Sequence, residues 1–203
     1  MNAPATRLRI AVADDERDMR QFFAEWLPEM GHQVVAIADT GRQLIEKCRS
    51  TWPDLIITDI KMPDMDGIDA VAEVNRGREV PVVLVSAHQE SDLLLRSGAE
   101  HIMAYLVKPV KPADLQAAIR LAVLRFEQYQ RVRAEADGLR QALDDRKAIE
   151  QAKGIVMRRL RLDEPTAYHR LRQLSSHRNE KLIALAHRLV ECDAIFQALE
   201  ELP

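Results

Sequence analysis

Asp14 and Asp15 close one short apolar run, LRIAVAD (8–14), and Asp59 closes another, DLIITDI (54–60). Ser86 ends the run VPVVLVSA (80–87), and Lys108 ends IMAYLVK (102–108), just before Pro109. If these runs are strands, five polar residues gather at the ends of four of them. Three carboxylates in one place repel one another unless a cation lies between them. A hard, oxygen-seeking ion such as Mg²⁺, or Mn²⁺ in its place, suits that role, because it accepts one or two carboxylates and also binds phosphate oxygens. A serine hydroxyl and a lysine ammonium would complete the set. Together they describe phosphoryl transfer to a carboxylate: one aspartate as nucleophile, with Mg²⁺ and Lys108 neutralising charge on the moving group and Ser86 binding one of its oxygens. A lone acidic pair would read as merely solvated. Five suitable residues at four strand ends argue for chemistry.

These positions are useful only if a parallel sheet brings them together. The runs at 8–14, 33–39, 54–60, 80–87 and 102–108 are short and almost wholly apolar, as strands buried on both faces must be. Amphipathic stretches near 16–30, 40–51, 66–76 and 89–98 separate them, and another starts after Pro112. Five such βα repeats predict an α/β fold with a doubly wound, five-stranded parallel sheet, whose ligand sites lie at the carboxyl ends of its strands. Residues 1–125 form this domain.

The last helix of the series has no evident stop. Apolar residues recur from Leu115 to Leu143 at alternating spacings of four and three, with one slip at 126–129–132. Residues 126–146 therefore read as a helical connector able to pair with its twin as a coiled coil. In RLDEPT, Asp163 can cap a new helix, with Pro165 in its first turn. Helical period resumes through Ala167, Leu171 and Leu174, SSHRN (175–179) reads as a turn, and a third helix follows from Leu182, with a short end near 194–202. Residues 147–203 are thus a small three-helix, all-α domain.

Charge separates the two ends of the chain. Residues 1–125 hold 15 Lys+Arg against 19 Asp+Glu, and residues 147–188 hold 10 against 4. A basic module on an acidic carrier points to a polyanion partner. No run approaches the ~18 apolar residues of a membrane helix, and no secretory signal is visible. Cys48 and Cys192 lie far apart without metal or redox spacing, which fits reduced thiols in a cytoplasmic protein.

ADDE (13–16), TDIKMPDMDG (58–67), VSA (85–87) and YLVKP (105–109) carry a family resemblance. Residues 7–125 resemble the receiver domain of two-component response regulators, the CheY-like fold. The resemblance implies sheet order 2-1-3-4-5 and Asp59 as the phosphoacceptor. It implies an acidic pocket of Asp14, Asp15 and Asp59, with the Lys61 backbone carbonyl completing the metal site. It also implies Tyr105 as the switch aromatic, turning inward as Ser86 moves towards the phosphate. The donor would be a phosphohistidine on a sensor histidine kinase.

The tail has no short glycine turn of the helix-turn-helix kind. His169, His177 and His187 have no ligand or triad spacing, so a catalytic output is not expected. Instead AIEQAKGIVMRRL (148–160), DEPTAYHRLRQLS (163–175) and NEKLIALAHRLV (179–190) resemble the ANTAR domain, the RNA-binding output of transcription antitermination regulators. Ser175-Ser176 stands where that family tends to have Ala-Met. Lys153 and Arg172 lead the candidate RNA contacts, with Arg158, Arg159, Arg178 and Lys181 behind them. Each could instead belong to a solvated face or a salt bridge, and Tyr168 could be a stacking platform or core. Gly154 reads as a site of close helix approach.

The expected protein is a phosphorylation-controlled response regulator that dimerises when phosphorylated and binds stem-loops in leader RNA to promote antitermination. A DNA-binding output, or a tail that binds a protein partner, remain the alternatives.

Overall fold

The computed structural model describes residues 7–87 and 101–200. Five strands form one parallel sheet: β1 (Arg9–Ala13), β2 (Gln33–Ala38), β3 (Leu55–Asp59), β4 (Val82–Ser86) and β5 (Ile102–Val107), in the order β2-β1-β3-β4-β5. Helices α1 (Arg17–Glu29), α2 (Gly41–Thr51) and α3 (Gly67–Asn75) follow the first three strands. The stretch at 89–98, expected to be a helix, lies outside the described residues. Helix α4 runs from Pro112 to Leu160, followed by α5 (Glu164–His177) and α6 (Leu182–Glu200). None of the described helices is long and apolar enough to cross a membrane.

Two-residue strand periodicity divides the core into two layers. Ala11, Ala13, Ile56, Val82 and Leu84 pack with Leu44, Ile45 and Cys48 of α2 and Ile68 and Val71 of α3. Their strand neighbours Ile10, Val12, Leu55, Ile57, Val83 and Val85 pack on the other side with Phe23 and Leu27 of α1 and Leu115, Ile119 and Ala122 of α4. Central strands buried on both faces explain the unbroken apolar runs. Each Val, Leu, Ile or Phe side chain so removed from water contributes roughly 1.5–3 kcal/mol before entropy is counted.

Local chemistry sets the helix starts. Thr40 accepts a hydrogen bond from the Gln43 N–H, and Asp66 from the Asp69 N–H. As expected, Asp163 caps α5 by accepting from the Thr166 N–H at 3.0 Å, with Pro165 in the first turn. Helix α4 ends with Arg161 at a left-handed φ of 52°, and the Leu162 N–H returns to the Met157 carbonyl.

The chain divides into two compact units between Gln130 and Arg131, five residues beyond the boundary expected at 125. The reason is aromatic. Phe126 and Tyr129 stack, both meet His101 edge-on, and both pack against the first unit's core. In the second unit, Ala152, Leu171, Leu185 and Ala186 form a small core with Ile149, Val156 and Leu189. Two expectations shift here. Ser175 and Ser176 remain helical, so the turn comes later, at Asn179 (φ 50°). Of the expected short end near 194–202, residues 194–200 belong to α6, because no Gly or Pro interrupts 182–200.

Candidate functional site

Strand ends deliver the predicted side chains to one place. Asp14 follows β1 directly, and its N–H donates to the Ala38 carbonyl at the end of β2. Asp59 is the last residue of β3 and Ser86 the last of β4; Lys108 follows β5 and donates its N–H to the Ser86 carbonyl at 2.8 Å. The Lys108–Pro109 peptide is cis. Asp14, Asp59 and Ser86 are buried, while Asp15 and Glu16 are exposed.

Lys108 Nζ stands 2.6 Å from Asp59 Oδ2, 2.7 Å from Glu16 Oε1 and 3.0 Å from Asp14 Oδ2. Burial by itself would lower the pKa of this ammonium. Hydrogen bonds to Asp59, to Glu16 and to Asp14 Oδ1, the last at 3.3 Å, outweigh that and hold it above the usual lysine range. The Lys61 N–H donates to Asp59 Oδ1 at 3.2 Å, which fixes the carboxylate plane from the other side.

Carboxylate oxygens of Asp14, Asp15, Glu16 and Asp59 all lie within 4.8 Å of one another. One lysine does not balance four carboxylates. Asp14 Oδ2 is buried and, although near Lys108, lies outside hydrogen-bond geometry, so it has no hydrogen bond among the described residues. An all-oxygen donor set with an orphaned buried carboxylate oxygen fits a small hard divalent cation.

Two residues here went unread in the sequence. Glu16 lies within the quoted ADDE motif, and its acidic type was the available signal. Arg20 donates from Nη1 to the Asp14 and Asp15 carbonyls, both at 2.8 Å, and so ties the acidic loop to α1. No motif marked it. Tyr105, the expected switch aromatic, lies on β5 and is 40% exposed.

The output candidates separate into two groups. Lys153 is 9% exposed and lies 2.5 Å from Glu150 Oε2 and 2.6 Å from Glu164 Oε1. These two hydrogen bonds hold its pKa above the usual lysine range. Arg159 Nε and Nη2 both donate to Asp193 Oδ1, at 3.1 and 2.9 Å, and its guanidinium lies over the Phe196 ring. Arg158 Nη2 donates to Asp193 Oδ2 at 3.3 Å. Arg172, Arg178 and Lys181 are exposed, with no ion pair among the described residues. Tyr168 is exposed rather than core. Ser175 Oγ donates to the Glu180 carbonyl and fastens the α5–α6 turn.

Residues 10–120 match the response regulator receiver domain family, and residues 137–190 match the ANTAR domain. This chain is a response regulator with an ANTAR output domain. It is 36% identical over 183 residues to the transcriptional regulatory protein PdtaR of Mycobacterium tuberculosis, a match covering 90% of this chain and 89% of PdtaR. The receiver is 32% identical over 112 residues to chemotaxis protein CheY of Bacillus subtilis, covering 55% of this chain and 93% of CheY. Among solved structures, CheY4 of Vibrio cholerae aligns with a TM-score of 0.54 at 25% identity, covering 58% of this chain and 99% of CheY4. Both matched families are parts of regulators, and neither is a catalytic output domain.

The receiver pocket makes its own stability depend on pH. Burial pushes the Asp14 carboxyl up to about 6; the Glu16 N–H and Lys108 oppose this, and Asp59 adds to it. The folded receiver thus holds this proton more tightly than the unfolded chain, whose value is near 3.8. The sign follows: stability falls as pH rises from about 4 past about 6, by on the order of 2 kcal/mol. Asp14→Asn removes that loss. In thermal melts without divalent ions, the variant is expected to exceed wild type at about pH 8 and to lie close to it at about pH 4. Equal midpoints at both pH values would contradict the assignment.

Proposed function

We propose that this chain is a cytoplasmic regulator in which phosphorylation of Asp59 controls binding of the ANTAR domain to paired stem-loops in leader RNA, favouring an antiterminator over a terminator hairpin. The observation that carries the reading is the buried Asp59–Lys108–Asp14 cluster in a chain whose receiver and ANTAR matches share helix α4.

An Asp59 carboxylate oxygen attacks the phosphorus of a phosphohistidine on a sensor histidine kinase. The P–O bond forms, the P–N bond breaks with its electron pair going to the ring nitrogen, and the imidazole leaves neutral because its other nitrogen already carries a proton. Lys108, already 2.6 Å from Asp59, follows the developing negative charge onto the phosphoryl oxygens. Ser86 turns its hydroxyl to one of those oxygens, and Tyr105 moves inward behind it. Asp14, Asp15, Asp59 and the Lys61 backbone carbonyl would hold Mg²⁺ (or Mn²⁺), which would supply positive charge to offset that of the transferring group.

Pairing would follow through the connector. Val132, Ala136, Leu139 and Leu143 recur at spacings of four, three and four, and the three larger side chains are exposed. That is a coiled-coil seam awaiting a second copy. Two weakly binding ANTAR domains joined in this way gain affinity for a two-hairpin RNA through effective concentration.

The test is binding at fixed salt to a leader RNA with two adjacent stem-loops, against duplex DNA, with and without a phosphoryl donor. Donor-strengthened binding to RNA is expected. Replacing Arg172, Arg178 and Lys181 together by alanine is expected to flatten the salt dependence by about 2 in logarithmic slope. Lys153→Ala is expected to act through folding of the domain, with the slope kept. A preference for duplex DNA would select the DNA-binding alternative. RNA affinity untouched by the triple change, with a captured protein, would select the protein-partner alternative.

A further inference from the structure

Gly154 lies in the interior of α4, where glycine is a poor helix former and alanine the best. The sequence suggested that another helix needs the space. The structure corrects this: a Cβ built at 154 would meet only Arg158 Nη1, at 3.8 Å, an ordinary contact. Nothing described in the folded chain therefore requires the glycine, in contrast to Gly67, which is wedged against backbone.

Gly154 opens onto a groove of about 510 Å³ between α4 and α6, within the usual range for ligand clefts. The apolar side chains of Ile155 and Val190 line it, and its polar rim is Glu150, Gln151, Arg158, Asp193 and Gln197. Both carboxylates on that rim already have cationic partners. Glu150 pairs with Lys153, and Asp193 holds Arg158, Arg159 and the Gln197 side-chain amide. The groove thus offers a flat apolar surface, bare helix backbone, and fixed amide, guanidinium and carboxylate groups. A packing helix would ask for an apolar rim. A nucleobase, with an aromatic face and a donor–acceptor edge, asks for this one.

We propose that the groove over Gly154 receives one unstacked nucleobase of an RNA loop, laid against the helix backbone that the missing side chain exposes. This deepens the RNA-binding reading above and rests on it. The exposed Arg172, Arg178 and Lys181 supply phosphate contacts without sequence information; the groove supplies base readout.

The test begins by selecting RNA with the full wild-type chain, in the presence of a phosphoryl donor, from a pool of two adjacent stem-loops with randomised loops. Gly154→Ala is expected to keep or raise the thermal midpoint while weakening binding to the selected RNA about tenfold or more. Gln151→Ala is expected to weaken binding in the same direction. Abasic substitution at one loop position is expected to cost as much as Gly154→Ala, and combining the two should cost little more than either alone. Wild-type affinity in Gly154→Ala, or additive losses with every abasic RNA, would overturn the inference and leave RNA binding standing. A change in oligomeric state at unaltered RNA affinity would also overturn it, by giving the glycine to helix pairing. No selectable RNA for the wild type would instead remove the RNA-binding reading itself.

Discussion

Asp59→Ala is expected to abolish phosphoryl uptake, with the rate from any phosphoryl donor falling at least about a thousandfold, as for loss of a covalent nucleophile. The reason is positional as well as chemical. Among the described pocket carboxylates, Asp59 alone accepts hydrogen bonds on both oxygens, from the Lys61 N–H on Oδ1 and from Lys108 on Oδ2. Asp14 is equally buried but points an oxygen into the pocket without a hydrogen bond, and Asp15 and Glu16 are exposed. The fold itself should survive, because Lys108 keeps Glu16 and Asp14 as partners. The variant should keep basal RNA binding and lose all response to the donor. Intact-mass measurement after incubation with donor, paired with the RNA titration, reads both. A phosphorylated Asp59→Ala chain, or one that still answers the donor, would remove Asp59 from the role.

Gly67→Ala is expected to be the most disruptive single methyl group in the receiver. A Cβ there would stand 1.9 Å from the Asp59 carbonyl oxygen and 2.8 Å from Thr58 Oγ1. The obstacle is the backbone of Asp59 itself, which cannot swing aside as a flexible side chain would. The Gly67 N–H also donates to the Ile60 carbonyl at 2.8 Å, so the loop is closed tightly at this point. Overpacking ordinarily costs about 1–3 kcal/mol; here the upper end or more is expected, lowering the thermal midpoint by about 10 °C. Asp59 should move with its backbone, so phosphoryl uptake should fall as well. Gly138→Ala is the control: nothing lies within 4 Å of its Cβ, and alanine favours the helix. A Gly67→Ala chain that melts and phosphorylates like wild type would show that the β3–α3 loop relaxes freely.

Much of this protein could be read from local pattern. The five strands and their exit residues follow from apolar runs that end in Asp, Ser or Lys. The cap at Asp163 needed only three neighbours. The output surface was less legible because its six candidate cations look alike in sequence. Lys153 and Arg172 both stand in motif cores, yet one is buried between Glu150 and Glu164 while the other faces solvent. Arg158 and Arg159 are anchored by Asp193, more than thirty residues onward.

By itself the sequence determined which residue types stand at each strand end, where most helices start, and which families the two halves resemble. Those properties depend on alternation, caps and turns within a few residues, and they survive without knowing who packs on whom. Tertiary structure alone decided that Glu16 shares Lys108 with the aspartates, that Arg20 ties down the acidic loop, that Gly67 is wedged, and that Gly154 stands open. Each is a matter of distance between atoms far apart in the chain; Lys108 and Asp14 are 94 residues apart. Burial, which decides whether a charge is a contact surface or an internal ion pair, exists only once those distant segments have packed.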